Sequence, residues 1–432
     1  MHFFRFLSLC ALLALVSTGC LKDDCTRVIT YTHYDPVYVI LSEERAKPIT
    51  YEAPRDLGEV GQLYYYADHI FINERHTGLH VLDNTDPENP RPVGFLNIPG
   101  NRNLAIRNGK LYADSYSDLL TLAVGSLSDA QPFTLEARTE GIFAQWTHPD
   151  DERFLSHYET SERTQSHDCE TASALQAGTL RSRTTFTGEA VFFDASSTLN
   201  GSFSGGAPTQ QGIGGSMARF TLYAGHLYVV DESRLRVFTL DDATAPELTS
   251  EQHVGWRIET IIPSGENLFI GGQNGMHIYS ATNPGNPTHL GTFAHANACD
   301  PVFVKEPYAY VTLRNGTDCE TFTNQLDLVD ITDLTNPTLE RSFDMENPHG
   351  LSIDGETLFV CEGEGGLKAF DISEPETLAQ RLLDRVNHGH SADVILLPGA
   401  RKLALVIGED GFRQYDYADR ENLRLLSTIP VN

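Results

Sequence analysis

The residues Leu326-Asp327-Leu328-Val329-Asp330-Ile331-Thr332-Asp333 decide the fold, because their pattern recurs along the chain. An alternating apolar segment ends on an aspartate, and a short polar turn follows it. Equivalent segments are His80-Val81-Leu82-Asp83, with the turn Asn84-Thr85-Asp86-Pro87, and Lys368-Ala369-Phe370-Asp371. Alternation combined with β-branched and aromatic residues indicates strands. The stretch therefore predicts one strand of a repeating β unit.

The spacing of this strand end predicts the architecture. It recurs at intervals of 41, 70, 45, 41, 50, 41 and 45 residues, at Asp83, Val124, Asp194, Thr239, Ser280, Asp330, Asp371 and Asp416. Within a unit, turns that contain glycine, such as Asn108-Gly109, separate further apolar segments. Glycine indicates a tight turn because it tolerates a positive φ. Four short strands in about 40 residues are typical of a propeller blade.

We therefore predict an all-β fold, a β-propeller of four-stranded antiparallel blades. Eight units are counted, and seven blades is the alternative because the third unit is irregular. An open β-solenoid is the competing repeat fold, but it usually has shorter repeats with fewer strands. The interval of 70 residues holds a polar insertion at about 160–216.

The repeat resembles that of the LVIVD-repeat family of bacterial surface lipoproteins. The resemblance rests on residues 79–87, 326–333 and 367–373, and it covers roughly Tyr51 to the C-terminus. It implies a propeller fold at the cell surface. It transfers no catalytic residue and implies no particular activity.

The N-terminal residues predict a lipoprotein signal peptide at 1–19. A basic start at Arg5, an apolar run over 6–16 and small residues before Cys20 describe a secretory leader, and the run is too short to span a bilayer. A cysteine after small residues resembles a lipobox, although Ser17 stands where leucine is usual. An ordinary cleaved signal is the alternative. We expect lipidation of Cys20, a tether and leading strand over 20–50, and the propeller over 51–432.

The charge and the residues after Cys20 bear on location and partners. Without the leader, 59 acidic residues face 30 basic ones, a net charge of −29. Such acidity disfavours nucleic acid and anionic lipid surfaces as partners. Leu21-Lys22-Asp23-Asp24 resembles a surface-export signal of Gram-negative lipoproteins. We expect an outer-membrane location, facing the exterior and held by the lipid anchor.

A ring of polar residues is predicted at the mouth of the central channel, where propellers generally bind ligands. Six residues before the first turn of each regular unit stands a polar side chain, followed by mainly apolar positions. The candidates for ligand binding are Gln62, Asn103, Arg219, Glu259, Asp300, His349 and Asp393. The irregular third unit offers Gln145 by a shifted alignment. Channel mouths are also wet in any propeller, so the pattern is compatible with simple solvation.

The cysteines and histidines carry weaker predictions. Cys299 begins an inner strand and Cys319 follows the second strand of the same unit, so blade geometry brings both to one face and a disulfide is predicted there. Carboxylates on several blades, such as Glu362 and Glu409, suit calcium in principle, yet they lack the EF-hand spacing. His388-Gly389-His390 is compact, but no HExxH motif accompanies it. We predict no metal site and no cofactor.

Two function classes remain open from the sequence. The first is a non-enzymatic recognition or scaffold module at the cell surface, whose partners are other outer-membrane proteins or a polar or glycan ligand. The second is an extracellular hydrolase or lyase acting on glycans or peptides through carboxylates at the channel mouth. Propellers host both classes, so the fold does not decide between them.

Overall fold

The structure, a computed structural model, describes residues 26–143, 147–148, 151–168, 211–294, 301–314 and 324–431. The chain divides into two units, one of residues 1–37 and 157–189 and the other of residues 38–156 and 190–432. Cys20, Asp300, and the predicted disulfide partners Cys299 and Cys319 lie outside the described residues.

A two-stranded sheet of β1 (Thr26–Ile40) and β11 (Arg153–Asp168) accounts for the described part of the first unit. There the Thr30 and Thr164 hydroxyls lie 3.4 Å apart, and Arg163 pairs with Asp35 at 3.1 Å. The helix α1 (Leu41–Ala46) follows β1.

The second unit is the propeller, with seven four-stranded antiparallel blades among the described residues. Blades 1 to 3 consist of β3 (Val60–Tyr66), β4 (His69–Glu74), β5 (Gly78–Asp83) and β6 (Arg91–Asn97); β7 (Leu104–Arg107), β8 (Lys110–Ser115), β9 (Asp118–Val124) and β10 (Phe133–Thr139); and β13 (Phe220–Tyr223), β14 (His226–Asp231), β15 (Arg234–Thr239) and β16 (Glu247–His253). Blades 4 and 5 consist of β17 (Ile258–Ser264), β18 (Asn267–Gly272), β19 (Gly275–Ser280) and β20 (Thr288–Ala294); and β21 (Val302–Lys305), β22 (Tyr308–Leu313), β23 (Gln325–Asp330) and β24 (Thr338–Asp344).

Blades 6 and 7 consist of β25 (Leu351–Asp354), β26 (Thr357–Cys361), β27 (Leu367–Asp371) and β28 (Leu382–Val386); and β29 (Asp393–Leu397), β30 (Leu403–Gly408), β31 (Gly411–Asp416) and β32 (Arg424–Pro430). A 3-10 helix (Pro375–Gln380) precedes β28. Blade 1 carries two extra strands, β2 (Thr50–Glu52) outside β6 and β12 (Ile213–Gly214) inside β3.

The four-stranded propeller prediction is confirmed, and the blade count is the lower of the two that the repeat allowed. The irregular third unit supplies no blade within the described ranges, because Arg153–Asp168 pairs with β1 instead. Its other markers, Gln145 and Asp194, lie outside those ranges. This pairing joins strands more than 100 residues apart, and the spacing of the repeat does not encode such a long-range contact.

The core lies between adjacent blades. The first three strands of a blade are largely buried on both faces, whereas outer strands such as β24 are mostly exposed. One buried cluster combines apolar side chains of blades 4, 5 and 6, and a second combines those of blades 1, 2 and 3. Each blade therefore depends on its neighbours for burial, as expected of stacked repeats.

Where the repeat has an aspartate at the end of the third strand, that aspartate forms the turn that follows. Asp83 Oδ1 accepts hydrogen bonds from Thr85 N at 2.9 Å and Thr85 Oγ1 at 2.7 Å, and Asp330 does the same with Thr332. These bonds lower the pKa of Asp83 to about 2. The Asp-x-Thr part of the repeat is therefore a turn device, in which the side chain replaces a backbone acceptor.

A polar contact joins the first and last blades, and the equivalent positions at the other blade boundaries do not form one. Asn84 and Gln414, both fully buried, exchange two amide hydrogen bonds of 2.9 and 2.8 Å. Around this pair, Leu82 and Phe412 belong to one apolar cluster shared by blades 1 and 7. The contact joins residues 330 positions apart and closes the ring.

Candidate functional site at the channel mouth

All six described ring candidates lie at or just before the start of an innermost strand. Gln62 is in β3, Glu259 in β17 and Asp393 begins β29. Asn103, Arg219 and His349 stand one or two residues before β7, β13 and β25. All six therefore lie towards the same end of their inner strands, and their role in ligand binding stays a prediction.

A chain segment that the sequence analysis did not foresee lies inside the ring of inner strands. We call Gln211–Ala218 the channel segment. Its β12 pairs with the inner edge of β3, and Gly212 N donates to Ile106 O of blade 2 at 2.9 Å. The Gln211 side chain donates to Leu222 O of blade 3, and Ala218 O accepts from Ile261 N of blade 4.

Asp393 holds the far end of the channel segment. Its Oδ1 accepts hydrogen bonds from Ser216 N and Oγ, each at 3.3 Å, and Leu351 N of blade 6 donates to the same hydroxyl at 2.8 Å. Asp393 is fully buried, and a side chain at Gly350 would lie 2.2 Å from its Oδ1. The segment therefore contacts the inner strands of six blades, and most of its residues are buried.

Two ring candidates bind backbone or neighbouring polar groups within the propeller. Gln62 Oε1 accepts from Leu104 N at 2.9 Å, which fastens blade 1 to blade 2. Asn103 Nδ2 donates to Asp114 Oδ2 at 2.9 Å, and burial raises the pKa of Asp114 despite these donors. Both candidates are buried, so their established contacts are structural.

His349 is a buried, neutral imidazole beside a second histidine. Burial, with the Arg314 guanidinium and His390 nearby, holds its pKa well below the ordinary value. Asn347 Nδ2 donates to His349 Nε2 at 3.1 Å, which assigns the remaining proton to Nδ1. Within the described chain, this Nδ1 has no hydrogen-bond partner. The His390 ring lies edge-on, with the ring centroids 5.5 Å apart.

The fully buried Glu362 organises the loop that precedes His349. Its Oε2 accepts from the backbone N–H groups of Glu346 and Asn347 at 2.9 and 2.7 Å. Its Oε1 accepts from Lys368 Nζ at 3.1 Å. A buried carboxylate needs such partners to offset its desolvation. Glu362 therefore fixes this loop. It is one of the carboxylates that the sequence suggested as suited to calcium in principle.

The compact histidine motif does not place both rings together. His388 Nδ1 lies 3.2 Å from the Tyr415 hydroxyl, whereas His390 contacts His349. In the described ranges, no three His, Cys, Asp or Glu side chains are grouped to hold a metal ion. Cys361, the one cysteine in those ranges, is a buried thiol whose pKa burial raises well above its ordinary value.

Arg219 and Glu259 are the remaining charged members of the predicted ring, and they belong to adjacent blades 3 and 4. Arg219 is partly exposed and Glu259 is 9% exposed. The inner strands that follow them, β13 and β17, contact each other directly. These two residues place both signs of charge on the same side of the mouth.

An exposed tryptophan beside Glu259 was missed by the sequence reasoning. Trp256 is 69% exposed in the loop that leads into β17. The loop is fixed on both sides, because Val254 N donates to Ser233 O and Ile258 N donates to Glu232 O, both at 2.9 Å. The signal that could have found it is a tryptophan directly before an inner strand, in a chain with two tryptophans.

The comparisons with known proteins support the fold. The LVIVD repeat model matches residues 297–345, so the chain carries an LVIVD repeat. No curated protein matches the chain. A protein from Lactobacillus plantarum is 12% identical with a TM-score of 0.52, over 86% of this chain and 98% of its own. The periplasmic gluconolactonase of Pseudomonas aeruginosa is 10% identical with a TM-score of 0.52, over 87% and 98%.

These two structures share the fold of this chain, and at such low identity they indicate nothing about activity. Among the described residues, no helix is long and apolar enough to cross a membrane. The chain is therefore a β-propeller with an LVIVD repeat, whose channel is occupied by its own residues 211–218.

Proposed function

We propose that this chain is a lipid-anchored outer-membrane protein whose propeller is a non-enzymatic recognition or scaffold module at the cell surface. The observation that carries the proposal is that carboxylates at the channel mouth accept hydrogen bonds from other parts of the propeller. Asp393 holds Ser216 of the channel segment, and Glu362 holds a loop through two backbone N–H groups. These acids stabilise a fixed binding face, and that is what a recognition module requires.

A hydrolase or lyase acting on glycans or peptides is the alternative, and its chemistry would need two accessible carboxylates. The predicted acids were Glu259, Asp300 and Asp393. Asp393 has no exposed surface and already accepts hydrogen bonds from Ser216. A reaction at Asp393 would therefore require displacement of the channel segment from its contacts with six blades.

The anchor is tested with two cysteine variants of the full chain. Cys20→Ala should lose the protein from the membrane fraction, because the thiol that carries the lipid is absent. Cys10→Ala is the matched control, since the predicted leader that contains Cys10 is removed. Fractionation together with metabolic labelling by a fatty acid reports both. Equal membrane recovery and labelling of the two variants would refute the anchor.

The recognition role is tested by mild-detergent purification of the lipidated protein from outer membranes after brief chemical crosslinking. We expect a stoichiometric outer-membrane protein or a bound glycan to co-purify. Protease treatment of intact cells should also cleave the protein if it faces the exterior. Purification of the protein alone, combined with hydrolysis of glycan or peptide substrates, would favour the enzymatic alternative.

A further inference from the structure

Trp256 presents an aromatic face in a fixed position on the channel-mouth side of the propeller. Its side chain is 69% exposed, while its flanking residues are held by backbone bonds to blade 3. Arg257 O also accepts from Gln273 N at 3.1 Å, which ties the loop to blade 4. The His253 ring lies edge-on at 5.8 Å between centroids. An exposed apolar ring on a fixed loop costs little entropy when it binds a ligand.

The position of Trp256 links it to the polar residues of the mouth. Glu259 is three positions further along the chain, and an extended chain of that length spans at most about 11 Å. Arg219 lies at the start of the adjacent inner strand, and β13 and β17 contact each other. One flat aromatic side chain and several hydrogen-bonding groups are therefore within reach of a ligand the size of one or two sugar units.

The surroundings of Trp256 distinguish between ligand classes. A protein interface is built around a cluster of apolar side chains. Among the described blade residues, the other strongly exposed large apolar side chains belong to the outer strands β10, β16, β24 and β28, whereas Trp256 lies next to an inner strand. A net charge of −28 opposes nucleic acid and anionic lipid. The remaining fit is a neutral ring with one apolar face and polar edges.

We propose that Trp256 is a stacking platform for a pyranose unit of a glycan, with Glu259 and Arg219 beside it as hydrogen-bonding groups. The negative π face attracts polarised C–H groups such as those on the apolar face of a pyranose. Carboxylate and guanidinium groups suit the hydroxyls at its edge. This inference rests on the proposed recognition function and specifies its ligand class.

The test uses the lipidated full chain in a detergent without a sugar headgroup, and it measures tryptophan fluorescence. The probes are hexasaccharides of glucose, xylose and mannose, and an oligogalacturonate. A Trp146→Phe background leaves Trp256 as the only fluorophore of its type in the chain. We expect at least one glycan to shield Trp256 from acrylamide quenching at millimolar concentration or below.

Variants in the unmodified background then separate stacking from other effects, with binding measured by calorimetry. Trp256→Ala should lower the affinity for the glycan about tenfold or more, and Trp256→Tyr should retain part of that affinity. Leu339→Ala is the control, because Leu339 is 50% exposed on the outer strand β24. It should bind as the parent does. Circular dichroism verifies that the variants fold.

Two results would overturn the proposal. One is unchanged glycan affinity in Trp256→Ala, and the other is the absence of shielding by every probe up to about 10 mM, a concentration at which a site with a millimolar Kd would be nearly saturated. If no glycan binds while a protein still co-purifies from outer membranes, the recognition function stands and the glycan inference is wrong. If glycans are hydrolysed during the titration, the recognition function itself is wrong.

Discussion

The Asn84–Gln414 pair makes the closure of the ring testable, because it is a polar contact where other boundaries are apolar. At three other blade boundaries, the positions equivalent to Asn84 and Gln414 are apolar, and each pair lies within one buried cluster. The pairs are Ile331 with Ile278, Ile372 with Leu328, and Tyr417 with Ala369. A buried amide pair contributes little net stability compared with apolar residues, but it penalises any mispairing. We expect it to favour joining of the first blade to the last.

The magnitude follows from the hydrogen bonds. Asn84→Leu removes both amide bonds and leaves Gln414 Oε1 buried without its donor, which costs about 1–3 kcal/mol. Gln414→Leu should cost more, because Gln414 Nε2 also donates to Pro87 O at 3.2 Å and Ser427 Oγ at 3.1 Å. The double variant replaces both partners with apolar groups, so its loss should be smaller than the sum by about 1–2 kcal/mol.

The assay is urea unfolding of the parent, both single variants and the double variant, followed by circular dichroism. Native-state hydrogen exchange should show faster exchange in β5 and β31 of the single variants, because ring opening begins at this boundary. Asn89→Ala is the control, an exposed change in the same turn that should alter the free energy of unfolding by less than about 0.5 kcal/mol. A double variant that loses the full sum of the single losses would refute the reasoning.

Three further changes test the channel segment, the turn aspartates and the buried ion pair. Gly212→Val should lower the free energy of unfolding by about 1–3 kcal/mol in urea titrations, because a Cβ there would lie 2.2 Å from Tyr64 Cε1. The pKa of Asp83 is lowered to about 2, so its contribution to stability is full above pH 4 and is lost as the pH falls towards 2. Asp83→Asn should therefore make the free energy of unfolding depend less on pH in that range. Lys368→Met should cost about 3 kcal/mol at pH 7 in thermal and urea unfolding, because it leaves Glu362 buried without its cation.

Two of these changes have a control variant, and Asp83→Asn is compared with the parent. Gly285→Ala meets its nearest atom at 3.4 Å, so it should be nearly neutral where Gly212→Val is not. Lys47→Met removes the pair between the exposed Lys47 and Glu44 and should change stability by less than about 1 kcal/mol. The turn reasoning is wrong if the parent and Asp83→Asn lose stability in parallel between pH 4 and pH 2.

The sequence predicted the blades well because the repeat encodes local structure. Asp83 and Asp330 bind the backbone two residues later, and such short-range chemistry is readable from spacing alone. The count of blades depends on pairing between distant segments. Arg153–Asp168 is a largely polar strand, and its partner β1 precedes it by more than 100 residues. No local signal identifies that partner.

The channel segment was unreadable for a related reason. Gly212-Ile213-Gly214-Gly215-Ser216 has the composition of a surface loop. Its small residues allow the backbone of the segment to lie close to neighbouring residues. Gly212 lies against the Tyr64 ring, and Ser216 reaches both Asp393 and Leu351. Small residues are necessary for such insertion, but they do not indicate where a segment inserts.

The six described ring candidates lie at or near the starts of inner strands, yet the structure changes where function should be sought. A carboxylate or amide at the start of an inner strand lies beside unpaired backbone groups of loops and neighbouring blades, so it is readily used to satisfy them. Gln62 binds Leu104, and Asp393 binds Ser216 and is fully buried. Groups committed in this way cannot exchange partners for a ligand without a cost of about 1–3 kcal/mol each. Recognition should therefore depend on side chains that a rigid loop exposes, and Trp256 is such a side chain beside the mouth.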